Sequence, residues 1–172
     1  LQYKMLPEKK MDIGGYQFSR ALLSSSSLSG DFLDYFEINE NSIGFYIADV
    51  SGHGISSAFF TVLLTNFMHT FLRRYRFEDN MTILKPARLL LELNKQFLQE
   101  NLGKYLTMFY GIINRKERKL AFSNAGQFPH PIVYSRTNIS MNLIRDWQSD
   151  GSPLGTKYGP LNLELDFTRG RS

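Results

Sequence analysis

The chain has 172 residues with 20 basic and 16 acidic side chains, a formal charge of +4. That is long enough to bury one core and too weakly charged to point to a polyanion partner. The absence of cysteine excludes disulfides, thiolate catalysis and Cys-type zinc sites, and it suits a reducing compartment, so a cytoplasmic location is expected. With 14 Phe and 9 Tyr, a hydrophobic core needs no covalent staples.

Residues 1–7 read as the end of a helix stopped by Pro7, because proline disfavours helical geometry in the residue before it. A start in mid-helix suggests a piece of a longer protein. Residues 1–10 are taken as the end of a linker helix and 11–172 as one domain, with no internal repeat. Residues 16–23 favour strand, and Ser24-Ser25-Ser26-Ser27 follows as a polar loop. Two aromatic and β-branched strands, 31–38 and 43–49, flank the turn signal Asn39-Glu40-Asn41-Ser42. Asp31 and Asp49 thereby fall at the outer ends of one hairpin.

Register decides whether those two carboxylates can act together. Pairing Ile38 with Ile43 sends them to opposite faces. Pairing Ile38 with Gly44, through an odd-length loop or a bulge, puts both on one face and diagonally adjacent. The second register is predicted, since a shared metal site requires it.

After Gly54 the period changes to that of a helix. Phe59, Leu63, Phe67, Phe71 and Tyr75 form one stripe and Phe60, Leu64, Met68 and Leu72 its neighbour, both assigned to the core. Asn66, His69 and Arg73 make the polar edge. This stretch, 55–75, is interrupted by Thr61, Thr65, Asn66, His69 and Thr70 and is too polar to span a bilayer. No signal-peptide pattern opens the chain. Arg73-Arg74-Arg76 and Lys9-Lys10 read as solvated helix ends, so no nucleic-acid partner is expected.

A second helix begins at Pro86, with Leu89, Leu90, Leu93 and Phe97 inward and an end at 101–103. Strands are expected over 105–114 and 119–124, around the turn Arg115-Lys116-Glu117-Arg118. A kinked loop over 124–131, a strand over 132–135, a mostly looped stretch over 146–160 and an alternating last strand over 161–167 complete the chain.

The acidic candidates are Asp31, Asp34, Glu37 and Asp49. A lone Asp in a hairpin is usually a turn former or a solvated edge residue. Two of them in Gly-flanked settings at the ends of one hairpin bring hard-metal chemistry into contention. Asp34 alternates away from Asp31 and reads as structural, and Glu37, near the turn, as solvated. Gly52 and Gly54 suit a strand-to-helix bend whose N–H groups face an anion, although no full phosphate-loop pattern is present. His53 is a candidate general acid or phosphate contact, with a purely structural histidine as the alternative.

Four blocks together resemble the SpoIIE/RsbU-type bacterial phosphatases of the metal-dependent type 2C (PPM) family. They are Ser29-Gly30-Asp31-Phe32-Leu33-Asp34-Tyr35-Phe36-Glu37, Ala48-Asp49-Val50-Ser51-Gly52-His53-Gly54, Ser123-Asn124-Ala125-Gly126-Gln127-Phe128-Pro129 and Gly151-Ser152-Pro153-Leu154-Gly155. The opening Leu1-Gln2-Tyr3-Lys4-Met5-Leu6-Pro7 is similar to the helix that joins such domains to an upstream sensor or receiver. The resemblance covers nearly the whole chain, in order.

It implies an α/β (α+β) fold, a four-layer α-β-β-α sandwich with two antiparallel sheets. It implies two divalent cations, Mn2+ or Mg2+, and hydrolysis of phosphoserine or phosphothreonine by a metal-activated water. Asp31 and Asp49 match metal ligands, the Val50 carbonyl matches a backbone contact, and His53 and Gly54 border the pocket. The implied substrate is a phosphorylated protein such as an anti-sigma-factor antagonist. Implied partners are an upstream regulatory domain and a second copy pairing through the N-terminal helix. The family's later Thr-Asp-Gly-like strand end and final acidic ligand have no counterpart before Arg169-Gly170-Arg171-Ser172. A domain lacking its C-terminal part, with an incomplete metal site, is therefore expected. The alternative is a catalytically degenerate phosphatase-like binding module of a response-regulator adaptor that controls a sigma factor.

Overall fold

The computed structural model describes residues 6–21, 30–52, 55–100, 103–134, 141–143, 154 and 161–166. Strands β1 (Lys10–Ile13) and β2 (Tyr16–Ser19) form a small hairpin. The central antiparallel sheet runs β3 (Asp31–Asn39), β4 (Ser42–Val50), β5 (Leu106–Asn114), β6 (Lys119–Ala125) and β9 (Leu161–Asp166). Between β4 and β5 come helix α1 (Ile55–Glu78), a short 3-10 turn (Met81–Leu84) and helix α2 (Pro86–Glu100). Strands β7 (Ile132–Tyr134) and β8 (Met141–Leu143) pair separately.

Both helices cover one face of the central sheet. Phe32, Tyr46, Ala48, Val50, Met108, Tyr110 and Ile112 meet Phe60, Leu64, Met68, Leu89, Leu90, Leu93 and Phe97 there, in one continuous core. Phe60 stacks on Phe97 with ring centroids 5.0 Å apart. On the opposite face, Tyr35 and Ile43 pack with Ile13, Met11, Tyr16 and Phe18 of the β1–β2 hairpin. The α+β class with antiparallel sheets is as expected. Among the described residues, helices lie on one side of the central sheet only.

Several details differ from the sequence reading. The strand expected over 16–23 ends at Ser19 and is preceded by β1, which pairs with it across Gly14-Gly15. Both α1 stripes reach the core as expected, with Phe60, Leu64, Met68 and Phe71 buried and Leu63, Phe67, Leu72 and Tyr75 packed partly buried against them, but Phe59 is 57% exposed. Buried Ser57, Thr61 and Thr65 extend the inward face instead. Small residues let helix and sheet approach closely. The Thr61 hydroxyl donates to the Ala58 carbonyl at 2.7 Å and that of Thr65 to the Thr61 carbonyl at 2.9 Å, so neither needs water. Lys10 lies in a strand rather than at a helix end. Glu37 is not merely solvated: its Oε1 accepts from Arg115 at 2.8 Å. The expected Ser24–Ser27 loop, residues 1–5 of the expected N-terminal helix and most of 146–160 lie outside the described residues, while 6–9 form no helix. Leu154, within that last stretch, is buried and bridges to Leu106.

Candidate metal site at the β3–β4 strand ends

Asp31 opens β3 and Asp49 is the penultimate residue of β4, and the ladder makes them direct cross-strand partners. Side chains in such a pair leave the same face with Cβ atoms about 5 Å apart. The shared face is as expected. The diagonal offset is not, because the two residues stand opposite one another. The cause lies at the far end of the hairpin. Glu37 pairs with Ile43 and Asn39 with Ser42, so Ile38 is an extra, bulged residue beside a two-residue turn. That one residue flips the parity and brings both carboxylates to one side.

Burial, and then the charge of Asp31, pushes the Asp49 carboxyl above its ordinary value. Two like charges at one point are an arrangement that a cation relieves. A third oxygen is close by. The Val50 amide donates to the Gly30 carbonyl at 3.1 Å, which runs the hairpin one step past Asp31. A Cβ at Gly30 would lie 2.5 Å from the Val50 carbonyl oxygen and 3.2 Å from Asp49 Oδ1. The missing side chain thus leaves a cradle where a backbone carbonyl and a carboxylate converge. These are hard oxygen donors, and the set fits a divalent cation of the Mg2+ or Mn2+ type. Among the described residues, no group of three or more His, Cys, Asp or Glu gathers. The site as described therefore consists of two carboxylates and one carbonyl.

Asp34 lies on the helix-facing side of β3, away from this cradle. Burial pushes its carboxyl up to about 6, against the lowering effects of the Tyr35 amide and the nearby His69. The Tyr35 amide donates to it at 2.8 Å. Phe36, Met68, His69 and Leu72 line a small cavity beside it. His53 and Gly54 lie outside the described residues.

A residue the sequence reading did not single out completes the neighbourhood. Lys104, just before β5, donates through Nζ to the Ser51 carbonyl at 2.8 Å and to Ser57 Oγ at 3.2 Å. A single lysine ahead of a strand has no periodicity or motif to mark it. Only the fold, which lays β5 alongside β4, brings it to the turn after Asp49.

The sequence pattern of the family described as Stage II sporulation protein E (SpoIIE) matches residues 39–166. The phosphoserine phosphatase RsbP of Bacillus subtilis is 33% identical over 111 residues, spanning 62% of this chain and 26% of RsbP. The phosphoserine phosphatase RsbU of the same organism is 27% identical over 153 residues, spanning 88% of this chain and 40% of RsbU. The chain thus spans well under half the length of these relatives. The solved PP2C phosphatase domain of SpoIIE from Bacillus subtilis, with a fragment of its regulatory domain, superposes with a TM-score of 0.61 at 15% identity. That match covers 82% of this chain and 39% of the other. It is a likeness of fold.

Proposed function

The chain belongs to the SpoIIE family, as a SpoIIE/RsbU-type PP2C phosphatase domain of bacterial signalling, and on that premise we propose that it hydrolyses phosphoserine or phosphothreonine on a protein regulator. The substrate proposed is a small phosphoprotein such as an anti-sigma-factor antagonist, in line with the phosphoserine phosphatases RsbP and RsbU. The observation that carries the reading is the direct pairing of Asp31 with Asp49 beside the Gly30 cradle. A divalent cation, when bound, supplies a water of lowered pKa and offsets phosphate charge. The chain's own part is to hold that cation with Asp31, Asp49 and the Val50 carbonyl. The β3–β4 ladder keeps the two carboxylates in fixed relation.

The test is turnover of a phosphoserine protein with Mn2+, comparing the wild type with Asp49→Ala. Activity is expected to drop by at least about a hundredfold in the variant, as for loss of a group that stabilises developing charge. Equal rates in the two proteins would refute the assigned role. One observation favours a second reading, a binding module without turnover: only two carboxylates meet at the cradle among the described residues. Wild-type protein that binds the phosphoprotein tightly and releases no phosphate with either Mn2+ or Mg2+ would establish that reading.

A further inference from the structure

We propose that Lys104 is the positioning residue of this site, clamping the turn that follows Asp49 and Val50 and so fixing the direction of the Val50 carbonyl. The proposal rests on the metal-site reading above. The Val50 carbonyl and the Ser51 N–H belong to one planar peptide unit, so fixing one fixes the other. The Ser51 N–H donates to the Tyr105 carbonyl at 2.9 Å, and the Tyr105 N–H donates to Ser51 Oγ at 3.2 Å. Lys104 secures the next peptide unit through the Ser51 carbonyl at 2.8 Å. Its second acceptor, the buried Ser57 Oγ, lies in the first turn of α1 and itself donates to the Ser51 carbonyl at 3.4 Å. Ser51 is therefore held through its N–H, its carbonyl and its hydroxyl by the residues before β5 and by the start of α1.

Two features set Lys104 apart from an ordinary surface lysine. Its half-buried ammonium sits beside the N-terminal turn of a helix, where the helix dipole disfavours a cation. It also bears directly on Gly52, which adopts a φ of +82°. A Cβ added there would stand 3.0 Å from Lys104 Nζ. The ammonium thus crowds position 52. A lysine that is placed against the dipole and satisfied by the carbonyl after a metal-ligand pair acts on geometry rather than on solubility.

The experiment measures Mn2+ affinity by titration calorimetry on folded protein, with melting temperature as a separate readout. Turnover of a phosphoserine protein is split into kcat and KM. Lys104→Met is expected to weaken Mn2+ binding by about tenfold, in the range seen when groups that orient metal ligands are removed. Its KM should stay near that of the wild type. Lys104→Arg, which can still reach the Ser51 carbonyl, is expected to restore affinity to within about threefold. Ser57→Ala removes the second acceptor and is expected to lose about threefold, which keeps the proposal testable should Lys104→Met fail to fold. Unchanged Mn2+ affinity in Lys104→Met or Ser57→Ala, or tighter binding in Lys104→Met, would overturn the clamp. So would a raised KM at unchanged Mn2+ affinity, which marks a phosphate contact instead. Those outcomes are distinct from failure of the metal-site reading, which would show as wild-type Mn2+ affinity in Asp49→Ala.

Discussion

A carboxylate that leaves water for the space between a sheet and a helix must find donors, meet a cation or take up a proton. Asp34 finds one amide, from Tyr35, and lies near His69, and burial still pushes its carboxyl up to about 6. The folded state thus holds the proton more tightly than the unfolded chain, where a carboxyl titrates near 4. The sign follows directly. The stability that Asp34 contributes is full below about pH 4, falls as pH rises through about 6 and is lost above that. Asp34→Asn keeps an acceptor for the Tyr35 amide and removes the titration. At pH 7.5 it should be more stable than wild type by about 1–2 kcal/mol, discounted for the solvent that still reaches the group, and equal to it at pH 4. Urea melts across that range provide the check, and a variant less stable at pH 7.5 would show that the charged carboxylate stabilises the fold. Gly30 sets a second test. A Cβ there would collide with the Val50 carbonyl oxygen at 2.5 Å, so Gly30→Ala should cost about 1–3 kcal/mol by overpacking and weaken Mn2+ binding.

At the scale of elements, α1 shows what a pattern can and cannot reveal. Its length and type were legible, because apolar residues recur every three or four positions from Phe59 to Tyr75. Which residue of its first turns faces inward was not, since Phe59 and Phe60 are equally apolar and periodicity alone cannot choose between them. The missed signal is the row Ser57, Thr61 and Thr65, whose small hydroxylated side chains allow close contact with the sheet while bonding back along the helix. The two neighbours in sequence therefore separate cleanly. Phe60→Ala should cost about 3–5 kcal/mol in a urea melt, because Phe60 is buried and stacked on Phe97. Phe59→Ala should stay within about 0.5 kcal/mol. The reverse ranking would mean the helix is turned by about one residue. The hairpin was more legible than the helix. Asking that Asp31 and Asp49 share a face demanded a change of parity, and the bulge at Ile38 supplies it. Strand β1 was hidden by its mixture of charged and apolar residues, Lys10-Met11-Asp12-Ile13, which alternates too briefly to stand out. The contact of Lys104 with Ser51 was illegible for a different reason: 53 positions of chain separate them, and no local pattern encodes a meeting that topology alone arranges.

For the whole molecule, the site and the fold are coupled through the same two strands. Without a cation, partial desolvation and the neighbouring charge of Asp31 both act against an ionised Asp49. With one, the pair becomes a crosslink between β3 and β4, the hairpin that forms one side of the five-stranded sheet. A ligand that binds only the native state stabilises it by mass action, by about 2.7 kcal/mol at a hundred times its dissociation constant. For a chain of this size that corresponds to a rise in Tm of about 5–10 °C. Asp49→Asn should reverse the order of stabilities. In EDTA the variant should melt above wild type, because the repulsion between the paired carboxylates is gone. In saturating Mn2+ it should melt below wild type, because the crosslink cannot form. Melts of both proteins in EDTA and in Mn2+ decide the matter. A variant that stays above wild type in Mn2+ would mean that Asp49 binds no cation, and that the paired carboxylates are a cost the fold tolerates without any return in metal binding.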